Sequence, residues 1–94
     1  MNKATIGQLV IATAGRDANK EFIITCIIND QYVYISDGES RKLENPKKKK
    51  LKHLMLSEYV FEEIAQAIQQ KSNITNSVIR RCIKSLDSYR EQEV

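Results

Sequence analysis

The sequence contains few of the residues from which catalytic sites are built. Its 94 positions include one histidine, no tryptophan and two cysteines, which form no CxxC motif. It also lacks the GxSxG, Walker and dinucleotide-binding glycine patterns, and its acidic residues are scattered. Neither nucleophilic nor metal-assisted catalysis therefore has its usual components. We expect a protein that is not an enzyme and that binds no cofactor and no metal.

Long hydrophobic stretches are absent as well. The longest mostly apolar run covers residues 22–28, whereas a membrane-spanning helix needs roughly 20 residues. The N-terminus lacks the apolar segment of a secretory signal. We therefore expect a cytoplasmic protein with no membrane partner. Cys26 and Cys82 lie in apolar stretches far apart in the sequence, and we predict that both are reduced, buried thiols.

The positive charges are concentrated in one segment. The formal net charge is only +3, but residues 41–53 contain seven basic residues and one acidic residue, a net charge of +6. A focused positive potential attracts polyanions whatever the overall charge is. Each neutralised phosphate of a nucleic acid also releases condensed counterions, which favours binding. The candidate phosphate contacts in this segment are Arg41, Lys42, Lys47, Lys48, Lys49, Lys50, Lys52 and His53.

The charge pattern also has other interpretations. A short lysine string is typical of nuclear import signals, and it attracts anionic lipid, although neither an acylation site nor a basic amphipathic helix accompanies it. A sheet edge often carries lysines only to prevent pairing with other chains. A helical pair with Arg80, Arg81 and Lys84 on its outer face could instead read duplex DNA. Charge alone does not choose among these roles.

The first half of the chain has the pattern of short β-strands. Its apolar runs are rich in β-branched and aromatic residues, which favour strands. Asn29 and Asp30 suit a tight hairpin turn, and Pro46 favours a break between strands. Five short strands in about 50 residues are typical of a small closed or nearly closed barrel. The predicted strands are residues 8–13, 21–28, 32–36, 40–44 and 49–54.

The second half of the chain changes to a helical period. Apolar residues recur every three or four positions after Ser57, a good N-cap, which predicts an amphipathic helix over residues 58–70. A second helix is predicted to begin at Thr75 or Asn76 and to end near Tyr89, followed by a fraying tail at residues 90–94. The fold class is therefore α+β. We predict a barrel at residues 1–56 and a two-helix extension at residues 57–94, packed on or beside the barrel.

Two tyrosines extend the candidate site. Tyr32 and Tyr34 alternate with apolar residues on one predicted strand, so they share one of its faces. Aromatic side chains beside a basic edge can stack on unpaired bases. Tyrosines on a barrel strand also commonly pack beneath neighbouring helices. Both interpretations stay open at the level of sequence.

An ordered set of short motifs resembles the KOW domain. The resemblance covers residues 6–54, and its hallmark glycine is Gly15. In this set the chain is similar to small bacterial KOW-domain proteins related to archaeal and eukaryotic large-subunit ribosomal proteins. It departs from them at residues 17–20, where many KOW loops have a second glycine. The matching segments are IGQLV at 6–10, AGRD at 14–17, FII at 22–24, DG at 37–38, RK at 41–42, PKKKK at 46–50 and KHL at 52–54.

The resemblance implies an SH3-like barrel of five strands that binds RNA in a ribosomal or translational setting. Together with the charge pattern, it makes structured RNA the expected partner, with rRNA or the ribosome as the target. Arg16 and Lys20 form a second, weaker candidate cluster. Phosphate contacts position a protein, whereas base contacts specify sequence, so we expect low sequence specificity.

A protein partner is the alternative to RNA. The barrel or the helical hairpin would then serve as an interaction module of the transcription or translation machinery, since amphipathic helices can offer an apolar groove. Replacing Lys47 to Lys50 with alanine should matter most for RNA binding. Charge reversal at Arg80 and Arg81 should matter most for a protein partner.

Overall fold

The computed structural model describes residues 3–92, with side chains described for residues 3–86. Within these residues the chain forms five strands, one 3₁₀ turn and two α-helices. The elements in chain order are β1 (Gln8–Ala12), β2 (Glu21–Ile27), β3 (Tyr32–Ser36), β4 (Lys47–Lys50), the 3₁₀ turn (Leu51–His53), β5 (Leu54–Val60), α1 (Glu62–Gln69) and α2 (Asn76–Gln92).

The five strands form one antiparallel sheet in the order β4-β3-β2-β1-β5. The sheet and the two helices confirm the predicted α+β class. The sheet is not closed, however, because β4 and β5 form its two edges in the described part of the chain. The 3₁₀ turn separates these two strands along the chain, and the two strands do not pair with each other. The prediction of a closed or nearly closed SH3-like barrel is therefore not confirmed.

The inner face of the sheet holds the first hydrophobic core. Alternate residues of β1, β2 and β3 point to this face, as the two-residue period of a strand requires. Phe22, which has no exposed surface, is one of its largest fully buried side chains. The buried members of this cluster are Val10, Ala12, Phe22, Ile24, Val33, Ile35 and Leu54.

The outer face of the same strands holds the second core, beneath the helices. Leu9 and Ile23 are cross-strand partners on this face, and both are fully buried. The helices cover them with Ile64 of α1 and with Ile79, Cys82 and Leu86 of α2. Because β1 and residues 22–24 of β2 are buried on both faces, these segments are nearly continuous apolar runs. The helices are thus packed on the sheet.

The predicted fourth and fifth strands were partly wrong. Residues 40–44 form turns rather than a strand, because the carboxylate of Asp37 accepts hydrogen bonds from the backbone N–H groups of Glu39 and Arg41 and bends the chain there. The basic strand is Lys47–Lys50, and the last strand begins at Leu54, after the 3₁₀ turn.

The predicted start of the first helix was also wrong. Ser57 does not cap a helix, because its hydroxyl donates to the Leu9 carbonyl 2.6 Å away and so ties β5 to β1. The strand β5 continues to Val60, past the predicted division of the chain at residue 56. The division itself, into a barrel and an extension, stays a prediction.

The second helix begins close to the predicted position. The Thr75 hydroxyl accepts the N–H of Val78 at 3.3 Å, which satisfies one of the free donors at the start of α2. The helix extends through Gln92, so its end lies beyond the predicted Tyr89. Of the tail that was predicted to fray, residues 93–94 lie outside the described part of the chain.

The two cysteines have different environments. Cys82 is buried in the outer core, as predicted, but Cys26 is exposed. The pairing of β2 with β3 shifts register between Ile24 and Cys26, and this irregularity places Cys26 opposite Tyr34, on a part of the outer face that the helices leave uncovered. The prediction that Cys26 is buried was therefore wrong.

None of the helices in the described residues is long and apolar enough to span a membrane.

Candidate nucleic-acid interface

The lysine tract forms an edge strand, and the pleat of that strand divides its lysines between two faces. Lys48 pairs with Tyr34 and Lys50 with Tyr32, whereas Lys47 and Lys49 pair with the inward-facing Ile35 and Val33. Cross-strand partners project from the same face of a sheet. Lys48 and Lys50 therefore share the outer face with the two tyrosines. Lys47 and Lys49 stand at the rim of the inner face.

The outer-face lysines converge on one aromatic ring. The Nζ atom of Lys48 lies 4.7 Å from the centre of the Tyr32 ring, and that of Lys50 lies 5.7 Å from it. An ammonium group over an aromatic face is attracted by the ring quadrupole. The ring thus holds two positive charges close together on the open side of the edge strand. Lys48 itself is exposed.

Lys49 has a structural contact instead. Its Nζ atom donates a hydrogen bond to the Ala14 carbonyl at 3.0 Å, across 35 positions of sequence. This contact ties β4 to the loop between β1 and β2, next to Gly15. The loop that resembles the KOW motif is therefore fastened directly to the basic strand.

The 3₁₀ turn carries the remaining members of the tract. Lys52 is exposed, and His53 is partly buried while its carbonyl accepts the N–H of Thr13 at 2.9 Å. A shallow cleft of about 300 Å³ separates this turn from the turn between β2 and β3. Its lining residues are Asp30, Gln31, Lys50, Leu51 and Lys52.

Arg41 and Lys20 both meet the carboxylate of Asp17. Arg41 donates to it from Nη2 at 3.0 Å and from Nε at 3.3 Å, and Lys20 lies 3.9 Å away. The Asp17 side chain is only 10% exposed, so this acid acts as an internal anchor for the two cations. Arg16 and Lys42 are exposed to solvent. The predicted cluster of Arg16 and Lys20 is therefore joined to the basic segment at residues 41–53 by two contacts. Asp17 binds Arg41, and Lys49 binds the Ala14 carbonyl.

The turn after β3 is fixed to the second helix. Burial opposes ionisation of Asp37, but the N–H groups of Arg41 and Glu39 and the Ser40 hydroxyl donate to its carboxylate, and the net result is a lowered pKa. Arg80 of α2 donates to the Gly38 carbonyl in the same turn. The start of α2 thereby holds the turn that leads into the basic strand.

Arg80 and Arg81 of α2 are already engaged within the chain. Besides the contact of Arg80 with the turn, Arg81 donates both of its 3.1 Å hydrogen bonds to the Glu63 carboxylate of α1. Both side chains of this pair are more than half exposed, so it contributes little stability. The pair nevertheless directs Arg81 toward α1. Duplex recognition by Arg80, Arg81 and Lys84 stays an untested prediction.

The two tyrosines do not belong to the helix-covered core. The residues that pack under α1 and α2 come from β1, β2 and the segment around Leu43, and they include neither tyrosine. Tyr32 and Tyr34 are both partly exposed. Among the side chains described at residues 3–86, the packing of these rings beneath the helices therefore finds no support. Base stacking remains to be tested.

Metal binding receives no support from side-chain positions. Among the residues that the structure describes, no three His, Cys, Asp or Glu side chains are grouped so that they could hold a metal ion.

Sequence reasoning missed two residues that organise the candidate interface. Asp17 was noted only as part of a motif, yet it anchors Arg41 from 24 positions away. Lys49 was grouped with its neighbours as a phosphate contact, yet it fastens a loop. The alternation of a strand could have separated Lys49 from Lys48 and Lys50, but only once residues 47–50 were identified as a strand.

Comparisons with known proteins show a family relationship. No protein-family model matches the chain. The KOW resemblance therefore stays a prediction. The curated "Putative ribosome-binding protein YbzG" of Bacillus subtilis (strain 168) is 31% identical over 71 residues, which cover 76% of this chain and 96% of that protein. At this identity and coverage, the chain belongs to the same family as YbzG.

Proposed function

We propose that this protein is a non-catalytic, cytoplasmic RNA-binding protein that associates with the ribosome through rRNA. The observation that carries the proposal is the pair of lysines, Lys48 and Lys50, held over Tyr32 on an open edge strand. The net charge of +6 at residues 41–53 supports it. The name of the family member from Bacillus subtilis supports the ribosome as the place of binding.

The order of elements supports an SH3-like barrel of the KOW type. A 3₁₀ turn lies between the fourth and fifth strands, and the fifth strand returns to pair with the first. Strands β1, β2, β3 and β5 contribute residues to one inner core, which is the packing that a small barrel needs. The Gly15 loop, fastened by Lys49, lies beside the basic strand where the KOW resemblance expects an RNA contact.

The mechanism is electrostatic docking. Lysine ammonium groups on a strand edge follow a phosphate backbone and release its counterions. Phosphate contacts fix the position of the protein without reading the sequence. Lys48, Lys50 and Lys52 make the primary contacts in this mechanism, with Lys42 and Arg16 at the margin. Lys47, Lys49, His53, Arg41 and Lys20 support or extend this surface.

The proposal is tested by co-sedimentation with purified ribosomes and by titration of protein-free rRNA across a salt series. The double variant Lys48→Ala, Lys50→Ala should bind rRNA at least tenfold more weakly at low salt. It should also reduce the slope of log affinity against log salt by roughly 1.4 to 1.8, because each phosphate contact contributes about 0.7 to 0.9.

The matched control is Lys3→Ala, Lys84→Ala, which removes the same charge from two exposed lysines outside the basic segment. Its affinity and salt slope should stay close to those of the wild type. Equal losses of rRNA affinity in the two double variants would show that binding depends only on the overall charge of the protein and not on this site. An unchanged salt slope in the Lys48, Lys50 variant would refute the proposed interface.

A protein partner bound through the helices is not favoured by a specific observation. The apolar faces of α1 and α2 are used against the sheet, and Arg80 and Arg81 are paired within the chain. Such a partner stays a prediction.

A further inference from the structure

The helices cover only part of the outer face of the sheet. At one end of this face the helices bury Leu9 and Ile23. Ser36 is also fully buried. Toward the other end, the outward side chains of β2, β3 and β4 become accessible to solvent. This open patch consists of Cys26, Tyr32, Tyr34, Lys48 and Lys50.

The two tyrosines of the patch differ in what lies over their rings. Tyr32 is covered by the ammonium groups of Lys48 and Lys50. Lys48 is the direct cross-strand partner of Tyr34, but its ammonium group turns to Tyr32 instead. Within the part of the chain that the structure describes, no cation lies over the ring of Tyr34.

The other cross-strand neighbour of Tyr34 leaves space beside its ring. That neighbour is Cys26, a small and exposed side chain on β2. Tyr34 is therefore flanked by the small thiol of Cys26 on one strand and by Lys48 on the other, and the ammonium groups of Lys48 and Lys50 lie over the neighbouring ring of Tyr32. An aromatic surface next to paired positive charges complements a nucleotide, which has a flat base and an anionic phosphate.

We infer that this patch binds an unpaired nucleotide of RNA, with its base stacked on Tyr34 and its phosphate held by Lys48 and Lys50. Tyr32 orders the two lysines and is a positioning residue. The inference rests on the proposed RNA binding and adds the kind of RNA. Bases within a duplex are stacked on each other and cannot reach a flat protein surface. The preferred target is a loop, a bulge or a single-stranded end.

The test compares two probes, a fully paired RNA hairpin and the same hairpin with a bulge of three adenosines. The wild type should bind the bulged hairpin about tenfold more tightly, since stacking of one base contributes about 1 to 3 kcal/mol. Tyr34→Leu should reduce the affinity for the bulged hairpin about tenfold and leave that for the paired hairpin unchanged. Tyr34→Phe should retain the preference, because its ring still stacks.

Tyr59→Leu is the control, since Tyr59 is 42% exposed but lies on β5, away from the patch. It should leave both affinities unchanged. A second measurement needs no destabilising variant: the chain has no tryptophan, so its tyrosine fluorescence is directly observable. The bulged hairpin should quench this fluorescence in the wild type, and Tyr34→Phe should remove most of the quenching while it retains affinity.

The outcomes separate the two proposals. Failure of the wild type to bind either hairpin would overturn both. Equal binding of the two hairpins, with no effect of Tyr34→Leu, would overturn the unpaired-nucleotide site and leave the phosphate-binding strand intact. Quenching that persists in Tyr34→Phe would also count against stacking on Tyr34.

Discussion

Arg41 donates two hydrogen bonds to the carboxylate of Asp17, which lies 24 positions earlier in the chain. This contact joins the loop between β1 and β2 to the segment that leads into the basic strand. The Asp17 carboxylate neutralises part of the local positive charge. It also fixes the position of the loop between β1 and β2 relative to the segment around Arg41. An acidic residue within a cationic surface thus has a structural role here.

The Asp17 contact predicts a loss of stability on substitution. Asp17→Asn should lower the free energy of unfolding by about 1 kcal/mol, since a hydrogen bond to a charged group is worth more than a neutral one but Arg41 is one-third exposed. Urea unfolding measures the change. Asp30→Asn, at an exposed turn residue, is the control and should be neutral. Equal stability of the two variants would show that the anchor is unimportant.

Lys49 and Lys48 should differ although they are adjacent and identical. Lys49→Ala removes the hydrogen bond to Ala14 and should cost about 1 kcal/mol of stability, with faster hydrogen exchange in the loop between β1 and β2. Lys48→Ala should leave stability nearly unchanged and weaken RNA binding. Thermal unfolding and rRNA titration of the two variants measure both effects. The opposite assignment would contradict the division of the tract between two faces.

Two glycines provide a matched test of how the turn after β3 meets α2. Gly38 and Gly15 both have positive φ, +77° and +85°. A Cβ atom on Gly38 would overlap the backbone carbonyl of Asn76, whereas on Gly15 it would approach only the flexible end of Lys49 at 3.3 Å. Gly38→Ala should therefore cost more stability, about 2 kcal/mol or more against about 1 for Gly15→Ala. Guanidinium unfolding of the two variants tests the order.

The cysteines should react at different rates. Burial, and then the hydrogen bond and the negative charge of Glu63, raise the pKa of the Cys82 thiol to about 11, so at pH 8 roughly one thiol in a thousand is ionised. Cys26 is exposed. A thiol reagent at pH 8 should modify Cys26 in the folded protein and Cys82 only on unfolding. Comparison of Cys26→Ser and Cys82→Ser distinguishes the sites, and rapid labelling of the Cys26→Ser variant would contradict this assignment.

The contribution of the Asp37 carboxylate to the free energy of unfolding should decrease at low pH. Its pKa is lower in the folded protein than the usual 3.8, so its contribution is present above pH 3.8 and is lost as the pH falls through the folded value. The stability difference between the wild type and Asp37→Asn should therefore be larger at pH 6 than at pH 3. Chemical unfolding at the two pH values measures it. A difference that does not change with pH would show that the carboxylate charge is not involved.

Much of the sheet could be predicted because its strands have clear patterns. The runs at β1, β2 and β3 contain the β-branched residues that favour strands, and their positions were predicted within one residue. The junction at residues 54–62 was mispredicted because two periods overlap there. Leu54 and Leu56 alternate as in a strand, while Val60, Phe61 and Ile64 begin the helical spacing. Helical periodicity was extended too far toward the N-terminus.

The turn at Asn29 and the lysine tract show the limit of local patterns. Asn29 does form the expected turn, but through its side-chain oxygen, which accepts the N–H groups of Gln31 and Tyr32, and not through a positive φ. The composition of the tract predicted a basic edge. The separate roles of Lys48 and Lys49 depend on register with β3 and on a loop 35 positions away, and local sequence contains neither.

Burial of β1 and of residues 22–24 of β2 on both faces has a consequence for how the chain unfolds. The same backbone segments support two cores, so neither core can be lost while the other keeps its packing. Removal of the helices would expose Leu9 and Ile23 at the centre of the sheet and leave an apolar, aggregation-prone surface. The helices therefore act as a permanent cover, and the chain should melt in a single cooperative step rather than in two stages.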